Sequence, residues 1–172
     1  MGSLTGNDGR EESTVAASSE YPEITSGEGY AVGHLEDLGD GPGFRKVRHG
    51  LEVTAFGVNA IVLPAGLETG AHYHDEQEEL YFVHRGAIEM EFGDGSVHSL
   101  REGGLARVDA STVRRIRNTG EQDAVYLCVG GKDGYVGRDG RVPPGEEQRV
   151  RVLHDASRAG AQSSEQSTPA GG

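Results

Sequence analysis

His72 and His74 stand one residue apart in "GLETGAHYHDEQEELYFVHRG", and Glu79 follows shortly after them. On an extended strand, residues i and i+2 project from the same face, so both imidazoles point one way. Glu79 opens the next apolar run, and Tyr81 and Val83 share its face. Two neutral imidazoles and one carboxylate on adjacent inward faces make a ligand set suited to Mn, Fe, Ni, Co or Zn. Non-haem iron oxygenases use such a His-His-carboxylate set with open positions. The competing account of the same residues is a solvated strand end in an acidic chain.

The elements around these residues must be strands. "LEVTAFGVNAIVLP" alternates apolar and polar positions and stops at Pro64. In "AIEMEF", Ile88, Met90 and Phe92 face one side while Glu89 and Glu91 face the other. "GDG" follows at once, a tight-turn signal, and then comes "SVHSL". "LARV", "TVRRIRN" and "AVYLCV" continue the series, and no stretch carries a long amphipathic helix. Many short strands with glycine punctuation predict an all-β sandwich or barrel.

Composition sets the limits of the domain. The 172 residues suffice for one compact domain, and only 34% of them are hydrophobic. Residues 1–26 and 154–172 are small and polar, with too little apolar area to offset ordering entropy, so disordered tails are expected there. The folded domain is then expected over 27–153, including a glycine-rich loop at "GGKDGYVGRDGRVPPGEEQ" and a last edge strand at "RVRVLH". A formal net charge of −12 argues against nucleic acid and anionic membranes as partners. The basic "RRIR" is too short to reverse that expectation. The single cysteine, Cys128, rules out an intrachain disulfide and sits in an apolar run as a small core residue. Neither a secretory signal pattern nor a transmembrane-length apolar segment is visible, so a cytoplasmic protein is the expectation.

Gly66, His72, His74, Glu79 and Gly86 match G-x5-H-x-H-x4-E-x6-G position by position, and the stretch resembles the first motif of the cupin superfamily. The resemblance covers roughly His34 to Gly130. It implies a single cupin-type jelly-roll β-barrel, a metal at His72, His74 and Glu79, and a homodimer. Cupins serve many chemistries, so the resemblance specifies the fold better than the activity. The second cupin motif, G-x5-P-x-G-x2-H-x3-N, supplies a further histidine ligand. Here "GGLARVDASTVRRIRN" keeps Gly103 and Asn118 but has Asp109 for the proline, Ser111 for the glycine and Arg114 for the histidine.

A guanidinium stays protonated and donates no lone pair to a metal. Alternation places Arg114 inside with Ile116, and Arg115 and Arg117 on the solvated face. Three readings follow. In one, His72, His74 and Glu79 hold a divalent metal while Arg114, Tyr81 and Asn59 contact a small anionic ligand, with metal-assisted chemistry if the chain is an enzyme. In another, a Glu79–Arg114 pair replaces the metal and leaves a non-catalytic binding or sensor module. In the third, ranked behind these two, the polar cluster is a structural relic without a ligand. His84 and His98 are expected at exposed or half-exposed strand positions.

Overall fold

The structure, a computed structural model, describes residues 24–147. Most of both expected tails, and the "RVRVLH" segment, lie outside the described residues. The first strand, β1 (Thr25–Gly27), takes in two residues that composition grouped with the N-terminal tail, and it pairs with β2 (Tyr30–Val32) in a hairpin.

Two antiparallel sheets carry the domain. The larger has the order β3 (Gly43–Arg45), β4 (Gly57–Leu63), β11 (Ala124–Gly131), β6 (Glu78–Arg85) and β9 (Leu105–Val108). The smaller has the order β10 (Arg114–Arg117), β7 (Ala87–Phe92) and β8 (Val97–Arg101). A further short pair joins β5 (Tyr73–His74) to β12 (Gly140–Arg141). β11 and β6 are rich in Val, Tyr, Phe and Leu, the side chains that suit a pleated, half-buried surface. The inward positions of the two sheets close on one core: Ile61 and Leu63 of β4, Tyr81 and Val83 of β6, Ile88 and Met90 of β7, with Val108, Ile116 and Tyr126.

The all-β jelly-roll architecture is as expected. The sheets, however, are not closed into a barrel, and among the described strands β3, β9, β10 and β8 end the ladders. Beside β10, the irregular chain from Leu67 to His72 makes only single bridges, Glu68 with Arg117 and His72 with Arg114. Two local expectations change as well. The run from Leu51 to Phe56 is not strand: a short helical turn, α1 (Val47–Gly50), precedes it, and Leu51 and Val53 pack onto Val58 and Ala60 on the outer sheet face. Arg115 points away from the core as its parity requires, yet it is buried, because Glu91 at 3.5 Å and Glu146 at 2.8 Å cover it.

The "GDG" turn joins β7 to β8, with Asp94 Oδ1 accepting from the Ser96 backbone N–H at 2.9 Å. His98 on β8 is exposed against the ring of Phe92, and His84 is exposed at the end of β6. No helix among the described residues is long and apolar enough to cross a membrane.

Candidate metal centre

His72, His74 and Glu79 converge, as their spacing predicted. One ligand atom from each lies within 4.8 Å of the other two. The histidine rings stand edge to face, with centroids 5.5 Å apart. His72 is held by β10: it exchanges both backbone hydrogen bonds with Arg114, at 3.0 and 2.9 Å. Glu79 and Tyr81 come from the inward face of β6, and Cys128 and Asn59 are paired across β11 and β4 beside them.

The two oxygens of Glu79 do different work. Oε2 accepts from the Tyr81 hydroxyl and from Arg114 Nη2. Oε1 lies 3.2 Å from His74 Nε2. That His74 nitrogen is buried and has no hydrogen-bond partner, so the contact is close but off the axis of a hydrogen bond. Two imidazoles and a carboxylate oxygen that converge this closely are a donor set of the type that borderline divalent metals take. The donor set therefore fits a divalent cation.

Arg114 is inside, as alternation predicted, and is fully buried. Its donors are directed to protein acceptors: Nε to Tyr81 Oη at 3.2 Å, Nη1 to the Thr112 and Ala110 carbonyls at 3.0 and 3.4 Å, and Nη2 to Glu79. It stands behind Glu79 and does not border the neighbouring cavity. Tyr81 likewise belongs to the core, with only its hydroxyl at the site.

These contacts fix the charge states. Burial, reinforced by the Arg114 charge, lowers the His72 pKa to about 4, so its imidazole is neutral at pH 7. Burial alone would raise Glu79, but its contacts with His74, Tyr81 and Arg114 outweigh that and hold the carboxyl well below its usual range. Burial pushes the Tyr81 phenol and the Cys128 thiol far up, so both keep their protons.

A cavity of about 210 Å³ opens beside the cluster. Asn59, His74, Glu79 and Cys128 border it from the sheet, and Tyr135 and Asp139 from the glycine-rich segment after β11. That volume holds about seven waters' worth of liquid, which suits a small metabolite. Sequence reasoning found Asn59 but missed Asp139 and Gln77. Asp139 accepts the backbone N–H groups of Asp75, Glu76 and Gln77 at 3.2, 3.2 and 2.9 Å, and its Oδ2 lies 3.4 Å from His74 Nδ1. Gln77 reaches the same nitrogen at 2.9 Å. Nothing local in "YVGRDGRV" distinguishes this aspartate from a loop residue.

Residues 59–130 match the cupin domain family. This segment is a cupin. Among solved structures, an uncharacterised protein with a double-stranded β-helix domain from Klebsiella pneumoniae is 19% identical, covering 64% of this chain and 94% of that one, with a TM-score of 0.55. A sugar phosphate isomerase of the cupin superfamily from Silicibacter pomeroyi is 26% identical over 66% of this chain and 71% of its own, with a TM-score of 0.49. No curated protein matches in sequence. The cupin match spans β4 to β11, and so contains His72, His74, Glu79 and Arg114 but stops short of Asp139.

Proposed function

We propose that this cupin binds a divalent metal through His72, His74 and Glu79 and uses it to hold a small, anionic molecule in the adjoining cavity. The observation that carries the reading is the convergence of His72, His74 and Glu79, with one ligand atom of each within 4.8 Å of the other two. Arg114 and Tyr81 support it by engaging Glu79 Oε2, which leaves Oε1 directed to the cluster. Charge supports the choice of ligand. The Glu79 carboxylate and the Arg114 guanidinium offset each other, so a divalent ion adds positive charge at the cluster. Such an ion supplies Lewis acidity toward a ligand oxygen. Asn59 offers the cavity an amide.

The second reading is a metal-free binding module, and the buried Glu79–Arg114 ion pair favours it because the carboxylate already has a cation. Elemental analysis of protein purified without chelators or a nickel column separates the two. The metal reading expects near-stoichiometric Mn, Fe, Co, Ni or Zn that is lost in a His72→Ala/His74→Ala variant. Absence of metal, with no uptake on adding Mn or Fe, favours the second reading.

A further inference from the structure

We propose that Arg138 is the anion-binding residue of the cavity, the group that takes the carboxylate or phosphate of its ligand. This role deepens the reading of a small anionic ligand and rests on it, without requiring the metal. Among the described residues that border the cavity, Arg138 is the only arginine or lysine. Its guanidinium has no carboxylate partner among the described residues, whereas Arg107, Arg114, Arg115, Arg117 and Arg141 each have one. The two carboxylates that border the cavity are engaged elsewhere. Glu79 accepts from Tyr81 and Arg114, and Asp139 accepts the backbone N–H groups of Asp75, Glu76 and Gln77. Arg138 is exposed, so a ligand meets its guanidinium without breaking an internal ion pair.

The backbone gives a second, independent observation. Arg138 holds φ at +58°, in the left-handed region where glycine is usual. Gly134, Gly137 and Gly140 surround it, yet the residue in this conformation beside the cavity is an arginine. Strain of this kind gathers at ligand clamps. The chain is tied down on either side of it. Towards the N-terminus, the Tyr135 ring lies against Gly57, and the Arg48 guanidinium stands 3.7 Å over the ring centroid. Towards the C-terminus, Asp139 is held by its three N–H donors, and Gly140 is paired with His74. A fork presented from a fixed backbone matches two oxygens of a carboxylate or phosphate and loses less freedom on binding. At about 210 Å³ the cavity is smaller than a drug-sized pocket, so the ligand is a short-chain acid or a small phosphate.

The test uses the full chain at constant ionic strength, both chelator-treated and loaded with manganese. Malonate and inorganic phosphate are the anionic probes, and putrescine is the cationic one. Nitrogen-15 NMR should show saturable shifts at the Asn59 side-chain amide with an anion, and the tighter of the two anions identifies the oxyanion class. Arg138→Gly and Arg138→Asn should each weaken that anion by about 10-fold or more. Glycine and asparagine tolerate a left-handed φ, so both variants should melt no lower than the wild type. Arg141→Ala is the control: its guanidinium pairs with Asp75 and does not border the cavity, so its loss should leave anion affinity unchanged. Anion binding that survives both Arg138 variants overturns the role of Arg138 and leaves the anionic-ligand reading standing. An equal loss in Arg141→Ala, or a loss that accompanies a lower melting temperature in both Arg138 variants, overturns that role as well. Putrescine binding tighter than either anion, or no saturable anion binding in either preparation, overturns both. Anions that bind through Arg138 in a chain that takes up no manganese support the role and sink the metal reading alone.

Discussion

At the scale of single residues, the decisive group is Arg114. It is fully buried, and Glu79 is its charged partner. Removing one member of a buried pair strands the other charge in low dielectric, whereas removing both leaves an apolar core that can repack. Arg114→Met is therefore expected to destabilise the fold by about 3–5 kcal/mol, read as a lower urea midpoint at an unchanged slope. The double variant Arg114→Met/Glu79→Leu should recover most of that loss. If it is as unstable as the single variant, the arginine's stability role lies in its bonds to the Thr112 and Ala110 carbonyls and not in the ion pair. Arg114's inward direction was legible from strand parity alone. Its partner was a guess that the geometry bears out, and its separation from the cavity was not legible at all.

At the scale of elements, the site depends on the sharp reversal from β6 to β7, which lets Glu79 and Tyr81 face a core shared with Met90 and Ile116. Gly86 makes that reversal at φ +78°, in the left-handed region that L side chains avoid. A Cβ there would also come within 3.2 Å of the Ala124 backbone on β11. Gly86→Ala should then cost about 1–2 kcal/mol, visible as a reduced melting temperature with metal affinity unchanged. A neutral result would mean that the turn relaxes into another form. The same element scale explains where pattern reading overshot. Leu51 and Val53 alternate like strand residues, but their apolar side chains find burial on the outer face of β4, under α1, without joining the ladder. Alternation records which side chains want burial, and only the packed sheet says where that burial is available.

At the scale of the whole molecule, stability and site chemistry are linked through protons. His72 carries a pKa of about 4 against 6.5 unperturbed, with Arg114, Glu79 and His74 as the charged or titratable groups facing it. Between those values the unfolded chain binds more protons than the folded one, so stability is full at neutral pH and falls as pH drops from 6.5 toward 4. The loss from His72 alone is roughly 3 kcal/mol. Glu79, whose carboxyl is depressed, acts with the same sign at lower pH. Urea midpoints of chelator-treated protein should thus decline from pH 7 to 4.5, and His72→Gln should flatten that decline. An unchanged slope in His72→Gln would assign the acid sensitivity elsewhere. The sequence by itself determined the all-β class, the inward faces of β6, β7 and β10, and the clustering of His72, His74 and Glu79 with Arg114 near them, since all of these follow from local alternation and motif spacing. Only the tertiary structure decided that the sheets stay open, that Arg114 backs Glu79 away from the cavity, and that Asp139 returns to His74. Those contacts join residues far apart in the chain, and their geometry is set by how the sheets and the β5–β12 pair dock, which no local pattern encodes.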